Sequence, residues 1–246
     1  MIAARPGEYI RGAGMRVLTI ENYRGTGLGQ VGTALAEVGA EVDIRRPYLG
    51  DPLPADAASH DAVVILGGGQ NALADDAHPY FPALLDLARD FAERDRAMLG
   101  ICLGSQLLAR AFGGTNLIGA APEFAWCEVS LSETGAADPM FAGIPSTFRI
   151  FQWHDDTFTL PPGAVHLASS STAENQAFRV GRAAYGIQFH FEADRPVVRR
   201  WTEDNRDHLA LHRPGWAERM EEEAARHGPA ADATGLAIAR AWVSLI

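Results

Sequence analysis

Cys102 lies in the run Gly100-Ile101-Cys102-Leu103-Gly104-Ser105-Gln106, where its neighbours suit a nucleophile. Ala97–Ile101 reads as a short apolar strand and Gln106–Phe112 as an amphipathic helix closed by Gly113-Gly114, so the cysteine falls at the corner between them. Gly100 and Gly104 allow strand and helix to approach closely, as in the strand–turn–helix elbow that exposes a hydrolase serine. Unpaired N–H groups at a helix N-terminus favour negative charge, and so favour thiolate over thiol. The bland alternative is a small buried thiol filling a strand end. A base, an acid to orient it and donors for an oxyanion would decide for the reactive one.

Tyr185-Gly186-Ile187-Gln188-Phe189-His190-Phe191-Glu192 alternates apolar and polar residues with period two, which predicts a strand with Gln188, His190 and Glu192 on one face. His190 can serve Cys102 as base and then as acid. Glu192 is spaced to accept the other ring N–H, which fixes the tautomer and stabilises the imidazolium. On their own the two would be polar residues on the solvated face of an antiparallel strand. Upstream, the apolar strand Asp61–Leu66 runs into Gly67-Gly68-Gly69-Gln70-Asn71, whose glycines leave the backbone open to close approach. The N–H of Gly69, with that of Leu103 after the nucleophile, can form a two-donor oxyanion hole; one such donor is worth about 2.7 to 4 kcal/mol of transition-state stabilisation.

These segments, in this order, resemble the class I, or triad-type, glutamine amidotransferases, and in particular the glutaminase domain of GMP synthetase and its free-standing relatives. That family's Gly-x-Cys-x-Gly-x-Gln stands here as Gly100 to Gln106, its His-x-Glu as His190 and Glu192, and its oxyanion glycines as Gly68 and Gly69. Phe151-Gln152-Trp153-His154-Asp155-Asp156, followed by Leu160-Pro161-Pro162-Gly163, is similar to the family's Trp-His-Gly-Asp and Leu-Pro segment. The resemblance spans Arg16 to Glu192. It implies a flavodoxin-like fold and a substrate site that includes Gln106, Gly68, Asn71, His154 and Asp155. The chain departs from the pattern in having Gln70 and Asn71 where the GMP synthetase domain has proline and glutamate, and Asp155 where glycine is usual.

The order of elements that must hold these residues is that of an α/β domain. Strands at Arg16–Ile20, Glu41–Arg45, Val63–Leu66 and Met98–Ile101 alternate with helices at Gln30–Val38 and Phe81–Arg94, which predicts a mostly parallel, doubly wound sheet with helices on both faces. Ligands of such sheets bind at the carboxyl ends of strands, where Cys102 falls. Strands then follow one another at Trp126–Ser132, Thr147–Trp153, Val165–Ser169, Ala177–Val180 and Ala184–Phe191, an antiparallel extension whose last two strands form a hairpin about Gly181-Arg182. Helices are expected at Pro196–His208, Pro214–His227 and Ala231–Leu245. The expected organisation is a tail over 1–14, one catalytic domain over 15–195, and a helical extension over 196–246 packed on that same domain.

Among 246 residues the net charge of −10 argues against nucleic acid or an anionic membrane surface as the main partner. No apolar run approaches the ~18 residues of a membrane span, and residues 1–14 have no apolar stretch of the secretory type. Two cysteines, Cys102 and Cys127, make no disulfide framework, which points to a reduced, cytoplasmic protein. Gly27-Leu28-Gly29-Gln30-Val31-Gly32 matches a dinucleotide fingerprint with Asp43 downstream, but the glycines follow the end of the first strand too late for its tight turn. His208 and His212 are helix-spaced, yet no third ligand lies near them in the sequence; no metal and no cofactor are expected.

The expected reaction is hydrolysis of a γ-carboxamide through a thioester on Cys102, with glutamine or another γ-glutamyl compound as substrate. The first fits a glutaminase that hands ammonia to a separate synthetase subunit, since no phosphate-binding Gly-x-x-x-x-Gly-Lys loop is present. The second fits a γ-glutamyl peptidase or hydrolase. A non-catalytic binding relative is disfavoured by the intact Cys102, His190 and Glu192 set, and a homo-oligomer is compatible with the apolar final helix.

Overall fold

The computed structural model describes residues 14–246, so the expected tail, apart from Gly14, lies outside the described residues. The parallel half of the chain comprises β1 (Arg16–Ile20), α1 (Gly29–Glu37), β2 (Glu41–Arg45), β3 (Ala62–Ile65), α2 (Phe81–Glu93), β4 (Ala97–Ile101) and α3 (Leu103–Ala111). There follow β5 (Asn116–Leu117), β6 (Glu123–Leu131), α4 (Glu133–Ala136), β7 (Thr147–His154), β8 (Thr157–Phe158), β9 (Val165–Ser169), β10 (Ala177–Val180) and β11 (Ala184–Ile187). The chain closes with α5 (Arg195–Asp204), α6 (Arg206–His212) and α7 (Trp216–Val243).

The main sheet has the order β2-β1-β3-β4-β11-β10-β9-β6-β7. Neighbours from β2 to β11 pair parallel, and those from β11 to β7 antiparallel. This is the doubly wound sheet with an antiparallel extension that the order of elements predicts. Its central strands are apolar throughout because helices cover both faces. Val17, Val64, Leu99 and Ile187 pack with α1 and α7, whereas Leu18, Val63 and Met98 pack with α2 and α3. Successive residues thus serve opposite cores, as the pleat dictates.

Three elements depart from the sequence reading. β11 stops at Ile187, short of the expected Phe191, because β4 turns away into α3: the Cys102 N–H donates to the Ile187 carbonyl at 2.8 Å, and β4 offers no partner beyond it. The chain crosses instead to β7, where His190 and Phe151 form an isolated bridge. Second, the two helices expected on either side of Gly228-Pro229 are one, α7, with Pro229 inside it. Burial of Ala224, Gly228, Ala231, Gly235 and Ile238 along one stripe holds it together against the roughly 3 kcal/mol cost of an interior proline. Third, Pro196–His208 is divided between α5 and α6. The short β5–β8 pair has no counterpart in the sequence reading.

Candidate active site

The backbone of Cys102 has φ 52° and ψ −112°, a region unfavourable for an L-residue with a side chain. Three of its contacts hold it there. Its N–H is bonded to β11, its carbonyl accepts from the Ser105 N–H at 2.9 Å and the Ser105 hydroxyl at 2.7 Å, and α3 begins at the next residue. The turn is possible because Gly104 lies against β3: a Cβ on it would stand 1.9 Å from the Ile65 carbonyl oxygen. The thiol points to the Trp153 carbonyl, with Sγ 3.8 Å from that oxygen.

His190 Nδ1 is 2.7 Å from Glu192 Oε1, and both side chains are buried. With Nδ1–H donating to the carboxylate, Nε2 is the nitrogen left for the thiol. Gly67 lies between the two partners, since a Cβ on it would be 3.4 Å from both Cys102 Cβ and His190 Cε1. Burial alone would lower the proton affinity of the imidazole, but the charge of Glu192, then that of Cys102, and hydrogen bonds to both raise it well above the ordinary histidine value.

The Glu192 segment lies outside regular structure, so its position depends on neighbours. The Gln30 N–H at the start of α1 donates to the Glu192 carbonyl at 2.9 Å, and Gln30 Nε2 donates to the Phe191 carbonyl at 2.9 Å. Gly29, with φ 47°, permits this approach, as a Cβ there would stand 2.0 Å from the Glu192 oxygen. The Gly-x-Gly-x-x-Gly run therefore braces the segment that carries Glu192. Asp43 is engaged elsewhere, with Arg16, Arg45 and His60.

Gly68 and Gly69 border the same cleft as Cys102 and His190. Leu103 is the first residue of α3, where a backbone N–H has no acceptor within the helix. Buried Asn22 braces the glycine loop: its Nδ2 donates to the Leu66 carbonyl at 2.7 Å, its Oδ1 accepts from the Tyr80 hydroxyl at 3.2 Å, and its carbonyl accepts from Gln70 Nε2. Burial pushes the Tyr80 phenol up to about 12, so it remains a donor.

A family model, Glutamine amidotransferase class-I, matches residues 28–197. The chain belongs to the class I glutamine amidotransferases. It is 31% identical over 157 residues to the putative glutamine amidotransferase-like protein YfeJ of Salmonella typhimurium, a match covering 63% of this chain and 66% of that one. With a glutamine-hydrolyzing GMP synthase subunit of Pyrococcus abyssi it shares 35% identity over 108 residues, 43% of this chain and 56% of the relative. The chain thus spans between half and two thirds of these curated relatives. The crystal structure of a glutamine amidotransferase from Thermotoga maritima superposes with a TM-score of 0.81 at 28% identity, covering 94% of this chain and 97% of the other.

As an amidotransferase-family site, the cleft has an unexpected lining. It encloses about 380 Å³ bordered by Gly68, Gly69, Cys102, Trp153 and His190. The rest of its lining is the loop Tyr23–Thr26 together with Trp201, Asn205 and His208. Of the expected substrate contacts only Gly68 is in the lining. Gln106 is buried, with Nε2 on Gln188 Oε1 at 3.2 Å. Asn71 Oδ1 accepts from the Leu73 N–H at 2.8 Å in a local turn. The His154 ring bonds the Asp156 carbonyl at 3.0 Å and lies 3.4 Å from Glu123, and Asp155 pairs at the surface with Arg213 at 2.9 Å. These four side chains are committed elsewhere. His208, given no role in the sequence reading, borders the cleft, and among the described residues no group of three metal-ligand side chains occurs. No helix among the described residues is long and apolar enough to cross a membrane.

Proposed function

We propose that this chain hydrolyses a γ-glutamyl amide through a covalent thioester on Cys102. The observation that carries the reading is a cysteine held at φ 52° on a strand–helix corner, in one cleft with a histidine whose Nδ1 is 2.7 Å from a buried glutamate. The Cys102 thiolate attacks the γ-carbonyl. The Gly69 and Leu103 N–H groups stabilise the oxyanion, and imidazolium His190, held by Glu192, protonates the departing nitrogen. His190 then takes a proton from water, which attacks the thioester and releases glutamate and the thiolate. Removal of the triad nucleophile commonly costs several orders of magnitude in kcat.

Two uses of this chemistry remain distinct. Relatives named as subunits of a glutamine-hydrolyzing GMP synthase support a glutaminase that passes ammonia to a separate synthetase subunit. The wall beyond His190 supports instead a γ-glutamyl compound with a larger leaving amine. The free Cys102 thiol needs reducing surroundings, which supports a cytoplasmic location.

Incubation with a glutamine-mimicking electrophile, followed by intact mass, tests the shared mechanism. A single adduct on wild type and none on Cys102→Ala is expected. Absence of an adduct on the folded wild type, or equal labelling of the variant, overturns it.

A further inference from the structure

The amide nitrogen that leaves Cys102 must lie beside His190, which supplies its proton. His190 packs edge-on against Trp201, with ring centroids 5.0 Å apart and planes at 79°. The leaving group is therefore directed along Trp201 toward Tyr23, Arg24 and His208, which border the same cleft. Ammonia has no use for such a wall. The wall is also built: Trp201 Nε1 donates to the Gly25 carbonyl at 3.1 Å and ties α5 to the loop after β1. All of it lies outside residues 28–197, which hold the nucleophile, base and acid.

The chemistry of the wall is specific. Tyr23 and Trp201 offer aromatic faces for a flat or apolar group. Arg24 offers a guanidinium that, among the described residues, makes no ion pair, in a chain whose net charge is −10. Asn205, at the junction of α5 and α6, and His208, on α6, add polar atoms. Aromatic faces beside a guanidinium that makes no ion pair among the described residues suit an amine that bears a carboxylate.

We propose that the substrate is a γ-glutamyl amino acid with an aromatic or other flat side chain, and that Arg24 and Trp201 select its leaving half. This rests on the acyl-transfer reading of Cys102. The γ-carbon–nitrogen bond breaks as the carbon–sulfur bond forms, and the nitrogen takes the His190 proton and departs as the free amino acid. One water then releases glutamate. No further co-reactant is needed.

The full chain is assayed with γ-glutamyl-phenylalanine, its C-terminal carboxamide and glutamine. Wild type is expected to turn over the dipeptide with kcat/KM about tenfold above the carboxamide, the lower end for a charge-assisted hydrogen bond, and above glutamine. In Arg24→Gln that tenfold ratio collapses toward one; Arg24 is exposed, so its replacement leaves the core intact. Equal rates on acid and carboxamide, glutamine as the best substrate, or a ratio that survives in Arg24→Gln overturns the leaving-half assignment. If Cys102 takes the electrophile but no dipeptide is cleaved, the assignment fails while the thioester reading stands. If no substrate turns over and Cys102 takes no adduct, both fail.

Discussion

Gln30 donates its backbone N–H to the Glu192 carbonyl at 2.9 Å, and its side chain reaches the adjoining Phe191 carbonyl, so the first helix of the fold holds the partner of His190 in place. The residues are far apart in sequence, and neither bond involves the carboxylate that orients His190. Gln30→Leu keeps the approximate volume and leaves the buried Phe191 carbonyl unpaired, a cost of about 1–3 kcal/mol. Because Glu192 then loses definition relative to His190, kcat should fall by about tenfold with KM little changed, as expected of a positioning residue. Steady-state kinetics beside a urea midpoint would separate this from a purely structural effect, in which stability falls and kcat per folded molecule does not.

In the proposed reaction Glu192 also governs the pH dependence. Burial opposes the His190 proton, and the Glu192 charge is the largest influence raising its affinity. The departing nitrogen needs that proton, so the alkaline limb of kcat/KM should lie above the ordinary histidine pKa of about 6.5. Glu192→Gln keeps a hydrogen-bond acceptor but removes the charge. Its alkaline limb should move to lower pH, with kcat reduced at every pH. A pH–rate profile in which the limb stays where it was would show that Glu192 does not supply the shift.

The corner at Cys102 depends on contact between α3 and β3. Gly104→Ala would place a methyl 1.9 Å from the Ile65 carbonyl oxygen, and backbone cannot move aside as a side-chain tip can. The helix must shift outward, with a stability loss of about 1–3 kcal/mol that outweighs the alanine propensity gain of about 1 kcal/mol. Denaturant unfolding measures the loss, and slower labelling of Cys102 by the electrophile in the folded variant would report displacement of the nucleophile. Unchanged stability would mean that α3 sits farther from β3.

That Cys102, His190, Glu192 and the glycine loop belong together is legible in the sequence because each is announced by a short local pattern: an apolar strand into a glycine-flanked corner, a period-two run, a strand into consecutive glycines. The centre of the parallel half is legible for the same reason, since burial on both faces leaves β3 and β4 apolar throughout. The distal wall of the cleft is not. Tyr23 and Trp201 stand far apart in the chain, and it is contacts across the fold, the Trp201–Gly25 hydrogen bond among them, that make them one surface. The end of β11 is likewise invisible locally, because the pattern around His190 continues alternating after its partner strand has turned away at Cys102. Asn71, His154 and Asp155 have the composition of a polar site, yet turn geometry, a buried network and a surface ion pair absorb them.

The C-terminal helix α7 reaches the Phe191–Glu192 segment at one glycine and misses it at another, which allows a paired test. A Cβ on Gly235 would stand 2.2 Å from the Phe191 carbonyl oxygen and 2.4 Å from Gln30 Nε2, the two groups that brace Glu192. A Cβ on Gly228 would instead meet the side chain of Arg195, 2.3 Å from its Cδ. Arg195 is a flexible chain that can swing away, giving up its partly exposed ion pair with Asp232, worth about 0–1 kcal/mol. In both cases alanine gains up to about 1 kcal/mol of helix propensity over glycine. Gly228→Ala should therefore be close to neutral in Tm and kcat. Gly235→Ala should lower Tm, because the carbonyl it meets is backbone, and should also lower kcat by pushing the Phe191–Glu192 peptide away from Gln30. Equal behaviour of the two variants would show that α7 supports the fold without touching the geometry of the acid.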